Sequence, residues 1–175
     1  MDSIQNNPRN FIAIGENIHT TRVLLRKGKR IVEADGQEVI LYEAADGASR
    51  RLPIPDSVKS TQDYDEGRVK HVKIALASAM VGVGEEAESG LAYLRALAHH
   101  QEQAGATYLD INVDEFSLKP SEQKAAMEWL VGTVQTMSNL PLSIDSSNAD
   151  VIRVGLEACQ SSSGRPMLNS ASLER

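Results

Sequence analysis

The chain has 175 residues, of which 41% are hydrophobic and 24% are charged, and its formal net charge is −6. This size and composition suit one soluble domain with its own core, and the acidic balance argues against nucleic acid as the main partner. One cysteine excludes an internal disulfide. No apolar run approaches the roughly 20 residues that span a bilayer, and residues 1–10 lack the apolar core of a secretory signal. We therefore expect a cytoplasmic protein that does not bind membranes.

A short apolar run ended by glycine, residues 11–15, predicts a first buried strand. Three short β-prone stretches follow it, and Asp-Gly pairs at 35–36 and 46–47 divide them. Asp-Gly between such stretches is typical of tight hairpin turns. Residues 22–67 are therefore predicted to form a small β-meander insertion that ends in a polar linker over 59–67.

From residue 68 the pattern alternates between helices and strands. Three more strands are predicted at Tyr108–Asn112, Leu142–Asp145 and 166–169, with helices before and between them. This alternation predicts an α/β fold with a parallel sheet. A complete (β/α)₈ barrel needs about 250 residues, so about four βα units predict the N-terminal half of a TIM barrel. A small, complete doubly wound sheet is the alternative.

Polar side chains stand at the carboxyl end of each of the four predicted strands. They are Glu16 and Asn17, Asp110 and Asn112, Asp145 and Ser146, and Asn169 and Ser170. In a (β/α)₈ barrel these strand ends meet at one face, where the active site lies. A carboxylate can accept two parallel N–H donors, and an asparagine offers both a donor and an acceptor. The pattern predicts a pocket for a flat heterocycle such as a pterin or guanine, whereas the alternative role for these residues is helix capping.

Several segments closely resemble the pterin-binding methyltransferases, which transfer the methyl group of methyltetrahydrofolate to a corrinoid protein. These segments are residues 127–131, 138–140, 144–148, 155–156 and 167–170. Residues 14–18 resemble the opening motif of that family. Residues 109–115 are similar to the matching segment in the folate module of cobalamin-dependent methionine synthase. The resemblance covers residues 11–21 and about 86–175. It implies that the chain forms part of a pterin-binding TIM barrel.

The resemblance also implies roles for individual residues. Asp145 and Asn169 match family positions that hydrogen-bond the pterin ring, and Glu16 matches a third polar contact. Asp110 and Asn112 match the polar end of the second strand and are further candidates for substrate binding. Secondary candidates close to these positions are Asn17, His19, Ser146 and Asn148. No metal site is expected.

The sequence departs from the family pattern in its first motif and in the insertion. Asn17 stands where the family commonly has arginine, and His19 stands where it has asparagine. Residues 22–85 have no counterpart in the family, and we expect them to project from the catalytic face as a lid or as a docking surface for the corrinoid protein. The family residue that contacts N5 of the pterin belongs to later strands, so it is expected beyond Arg175.

The activity implied by the resemblance is methyl transfer from methyltetrahydrofolate, the substrate, to cobalamin carried by a corrinoid protein, the partner. A dihydropteroate synthase-like pterin enzyme is the alternative, although the first-loop and second-strand motifs typical of that family are absent. A non-catalytic half-barrel module is a third interpretation. Because a half-barrel leaves open sheet edges, we expect the isolated chain to be inactive and to form a homodimer or aggregate.

Overall fold

The computed structural model describes residues 11–169. Its elements in chain order are β1 (Ile14–His19), β2 (Leu24–Leu25), β3 (Ile31–Ala34), β4 (Gln37–Glu43), β5 (Ser49–Pro53), α1 (Asp56–Lys59), α2 (Gln62–Asp65), β6 (Arg68–Val69), α3 (His71–Val81), α4 (Glu85–Gln103), β7 (Tyr108–Asn112), α5 (Pro120–Val134), β8 (Leu142–Asp145), α6 (Ala149–Ala158) and β9 (Met167–Asn169). Residues 1–10 and Ser170, on which two sequence arguments rest, lie outside the described residues. Within residues 11–169, no helix combines the length and the apolarity that crossing a bilayer needs.

Four parallel strands form the main sheet, in the order β1-β7-β8-β9. Helix α5 links β7 to β8, and helix α6 links β8 to β9, so each crossover between neighbouring parallel strands passes through a helix. The α/β fold with a parallel sheet, predicted from the alternating pattern, is confirmed. The arrangement is consistent with a partial TIM-barrel module.

One face of the main sheet is apolar and packs against the helices. Leu109, Ile111 and Ile144 are completely buried, and α5 and α6 contact these strands. Helix α6 approaches closely at Gly155, where a Cβ would lie 2.6 Å from Cγ2 of Ile144 and 3.0 Å from Cγ of Met127. Burying each large aliphatic side chain contributes about 1.5–3 kcal/mol. This layer fixes the orientation of the strands, and the alternate residues therefore face the other way.

The predicted β-meander is present as a three-stranded antiparallel sheet in the order β3-β4-β5. Its first turn is formed by Asp35 and Gly36, whose φ angles are 54° and 78°. A two-residue type I′ turn requires positive φ at both positions, and Asp-Gly is a preferred pair there. Ile40, Leu52 and Ile54 are completely buried, so the insertion packs its apolar side into the core.

The segment predicted as a linker, residues 59–67, is ordered structure instead. It contains helix α2 and the end of α1, and β6 follows it and pairs with β2. Thr61 caps α2 by accepting a hydrogen bond from the Tyr64 backbone N–H, and the Tyr64 side chain is buried beneath the Arg26 guanidinium. The polar composition was misleading because a single buried aromatic residue is enough to anchor a short helix on a larger core.

The first strand begins and ends later than predicted. Its hydrogen-bonded part is Ile14–His19 and not 11–15, and Phe11 is 68% exposed. The apolar run carries a local strand signal, but the position of β1 is set by pairing with β7, which extends to His19. Glu16 and Asn17 therefore lie within the strand and do not follow its end.

A buried hydrogen-bonded chain ties the insertion to helices α3 and α4. The Arg30 guanidinium donates to the Tyr93 hydroxyl at 2.8 Å, and that hydroxyl lies 2.9 Å from Nδ1 of His71. Arg30 donates to the hydroxyl oxygen and leaves the Tyr93 O–H free to donate, and an unprotonated Nδ1 of His71 is the acceptor within reach. Burial, together with the charges of Arg30 and Arg22, lowers the pKa of His71 to about 4. The native state therefore holds His71 neutral.

We expect the protein to lose stability as the pH falls below about 6.5. The unfolded chain binds a proton at His71 near pH 6.5, whereas the folded chain does so only near pH 4. Between these values the unfolded state binds more protons, so the free energy of unfolding falls by about 2–3 kcal/mol by pH 4.5. Urea denaturation at pH 7.0, 5.5 and 4.5 measures this. His71→Asn retains an acceptor for Tyr93 without titrating, and an unchanged pH dependence in that variant would contradict the assignment.

Candidate functional site

Four side chains stand in one row across the main sheet, one from each strand. The strand register pairs His19 with Asn112, Asn112 with Asp145, and Asp145 with Asn169. Residues paired side by side in this way point to the same face of the sheet. Asp110, two residues before Asn112, points to that face as well and lies one row deeper. The fold therefore brings five of the predicted residues together at the carboxyl ends of the strands, on the face opposite the apolar one.

Hydrogen bonds join these five side chains. His19 Nε2 lies 2.6 Å from Oδ2 of Asp110, and Asn169 Nδ2 donates to Oδ1 of the same carboxylate at 3.2 Å. Asn112 Nδ2 donates to Oδ2 of Asp145 at 2.8 Å. Asp110 is completely buried with both oxygens bound, whereas Asp145 is only partly buried and no described residue donates to its Oδ1. Asp145 is thus the carboxylate of the pair that has an oxygen open to a ligand.

The two carboxyl groups differ in acidity. Burial by itself raises the pKa of Asp110, but the hydrogen-bonding groups of His19, Ser143 and Asn169 beside its carboxylate outweigh burial and hold that pKa below its ordinary value. Burial raises the pKa of Asp145, the bond from Asn112 opposes this rise, and the negative charge of Asp110 adds to it. Asp110 therefore stays ionised, and its carboxylate accepts a hydrogen bond from the N–H of His19 Nε2. Asp145 is the group that takes up a proton first on acidification.

A buried hydroxyl on the same face has no well-formed hydrogen bond. Ser143 Oγ is completely buried and makes no hydrogen bond of good geometry with any residue in the described part of the chain, although it lies close enough to the Asp110 carboxylate to help lower the pKa of Asp110. Ser143 is the register partner of Asp110 and lies two residues before Asp145. Because buried polar groups usually have partners, this hydroxyl is available to a ligand or a water. Ser143 was not among the predicted site residues, although the alternation that places Asp145 on this face also places Ser143 there.

Ser146 and Asn148 hold the loop after β8. The Ser146 hydroxyl donates to Oδ1 of Asp114, and the Ser147 backbone N–H donates to its other oxygen at 2.8 Å. Asn148 caps helix α6, since its Oδ1 accepts from the Asp150 backbone N–H at 2.9 Å. Asn148 therefore acts as the N-cap of α6. Asp114, two residues after Asn112, was missed as the residue that joins the loops after β7 and β8.

The structure does not bring Glu16 and Asn17 into the cluster. The Glu16 carboxylate pairs with the Arg22 guanidinium at 2.9 Å, and both side chains are about half exposed. The Asn17 side chain is exposed as well. The reason is that β1 extends to His19, so His19 and not Glu16 or Asn17 lies at the carboxyl end of the strand.

Three groups of the cluster have the donor types of a divalent-cation site. One ring nitrogen of His19 and one oxygen each of Asp110 and Asp145 lie within 4.8 Å of one another. Imidazole and carboxylate groups bind such ions in many proteins. In the structure the imidazole bonds to Asp110 and the Asn112 amide bonds to Asp145, so hydrogen bonding accounts for this geometry.

A comparison with protein-family models identifies the second half of the chain. The model described as pterin binding enzyme matches residues 85–175. The matched range includes α4, β7, α5, β8, α6 and β9, and with them four of the five clustered side chains. His19 and the insertion lie outside it. Since the match covers just over half of the 175 residues, the chain belongs to the family of pterin-binding enzymes.

Proposed function

We propose that this protein binds the pterin ring of methyltetrahydrofolate and takes part in the transfer of its N5-methyl group to a corrinoid protein. The observation that carries the proposal is the polar cluster on β1, β7, β8 and β9, in which Asp145 keeps one carboxylate oxygen open. Family membership supports a pterin as the ligand. The sequence of residues 109–115 favours methyl transfer over the dihydropteroate synthase alternative.

The cluster suits the polar edge of a pterin. This edge presents a ring N–H beside an exocyclic amine, and a carboxylate can accept both of these donors. Asn112 fixes Oδ2 of Asp145, while Asn169 uses its Nδ2 on Asp110 and keeps its side-chain oxygen as an acceptor. Because these amides are already held by protein partners, the acceptors are oriented before a ligand arrives.

The chain's residues position the ring for the reaction. An unprotonated tertiary amine is a poor leaving group. N5 therefore needs a proton or a strong hydrogen bond as the C–N5 bond breaks and its electron pair stays on nitrogen. The corrinoid held by the partner protein would supply the nucleophile. Asp145 and Asn169 bind the ring edge, and the other clustered residues hold them in place, which lowers the barrier by restricting the geometry of the encounter. We assign the contact to N5 to strands that would complete the barrel, of which β1, β7, β8 and β9 would form the N-terminal half.

We expect the full-length protein to bind methyltetrahydrofolate saturably and to methylate a corrinoid protein. Calorimetric titration measures the first property, and the absorbance of methylcobalamin formed from the Co(I) corrinoid measures the second. Condensation of a pterin pyrophosphate with p-aminobenzoate, without methyl transfer, would favour the dihydropteroate synthase-like alternative. Failure to bind any pterin would leave the non-catalytic module.

A further inference from the structure

Strand β1 contains a bulge just before His19. Gly15 pairs with Leu109, but the next pairs are Ile18 with Ile111 and His19 with Asn112. Three steps along β1 thus match two steps along β7, so β1 holds one extra residue.

The bulge decides which way His19 points. Gly15 faces helix α4, since a Cβ on it would lie 2.3 Å from Oε1 of Gln101. In a regular strand the faces alternate, so Ile18 would face the polar cluster and His19 the helices. The extra residue exchanges them: Ile18 is completely buried in the apolar core, and His19 reaches Asp110.

Gln101 of α4 holds the bulge. Its side chain is buried, its Oε1 accepts from the Asn17 backbone N–H at 3.0 Å, and its Nε2 donates to the Leu97 carbonyl at 3.2 Å. Asn17 lies in the irregular part of β1, where it has no register partner on β7. A backbone N–H that is shielded from water and left without a partner is costly. Gln101 removes this cost and so stabilises the bulged form of the strand over the regular one.

We propose that Gln101 is a positioning residue of the pterin site, which acts through the bulge to keep His19 on Asp110. Its effect passes from α4 to the Asn17 backbone, and from there along β1 to the polar cluster. The part of this inference that concerns ligand affinity rests on the proposed function. The part that concerns the orientation of His19 does not.

The test replaces Gln101 with methionine, whose side chain has a similar length but has no amide to accept from the Asn17 N–H or to donate to the Leu97 carbonyl. Gln135→Met is the matched control, because Gln135 also accepts from a loop N–H, that of Gln160, and donates to the Val131 and Ala158 carbonyls. Proton NMR of the imidazole N–H groups reports on His19, and the chain has only four histidines to assign. His19→Gln identifies the signal.

We expect the protected His19 Nε2–H signal to disappear in Gln101→Met and to persist in Gln135→Met. Affinity for methyltetrahydrofolate should fall at least fivefold in Gln101→Met, and adding His19→Gln should cause little further loss, because both changes remove the same arrangement. Persistence of the signal in folded Gln101→Met would overturn the inference.

Two further variants keep the test decisive if Gln101→Met does not fold. Gln101→Glu keeps an acceptor for the Asn17 N–H and should retain the signal. Gly15→Ala places a Cβ where Oε1 of Gln101 now lies, and it should abolish the signal. If the signal behaves as expected but the wild-type protein binds no pterin, the proposed function fails and the positioning role of Gln101 stands.

Discussion

Replacing Asp145 with alanine should weaken the binding of methyltetrahydrofolate at least tenfold. The carboxylate faces the open side of the sheet, and no residue in 11–169 donates to its second oxygen. Charge-assisted hydrogen bonds contribute about 1.5–3 kcal/mol each, and about 1.4 kcal/mol corresponds to one decade in affinity. Asp145→Asn should also weaken binding, because its new amide sets a donor against a donor. Calorimetric titration measures both variants.

Asp65→Ala is the control for the loss of an aspartate, since Asp65 is exposed on α2, outside the cluster. It should bind like the wild-type protein. Burial raises the pKa of Asp145, so wild-type affinity should decline on acidification at a higher pH than an ordinary aspartate would cause. Unchanged affinity in a folded Asp145→Ala protein would show that the ligand does not bind at this carboxylate.

Replacing Gly90 with alanine should destabilise the protein by about 3 kcal/mol, at the upper end of the usual cost of overpacking. Gly90 is buried where α4 crosses α3, and a Cβ there would lie 2.5 Å from the Ala75 carbonyl oxygen and 2.6 Å from the Ala79 nitrogen. Both are backbone atoms, so relief requires the helices to move apart. Urea denaturation measures the change.

Gly132→Ala is the matched control in helix α5. A Cβ at Gly132 meets nothing within 4 Å, so the substitution should be neutral or should stabilise the protein by up to about 1 kcal/mol through helix propensity. Equal stability of the two alanine variants would show that α3 and α4 are not held at the close approach seen here.

The sequence alone determined the elements whose signals are local. The bounds of Tyr108–Asn112 and Leu142–Asp145 were predicted as observed. The turn at Asp35 was also predicted, because Asp-Gly has a strong preference for its backbone conformation. The polar strand ends also predicted that Asp110, Asn112 and Asp145 would meet at one face. These features depend on residues within a few positions of one another.

Tertiary contacts decided the bounds of the first strand and the structure of the segment around Tyr64. The apolar run at 11–15 suggested a strand that ends before Glu16, but pairing with β7 and the Gln101 side chain fix a bulged strand that ends at His19. Gln101 is 84 positions from Asn17 in sequence, so no local pattern connects them. The buried Tyr64 likewise orders a segment whose composition resembles a linker. In both places, one distant side chain satisfies a backbone group or fills a core position, and that contact exists only once the chain has folded.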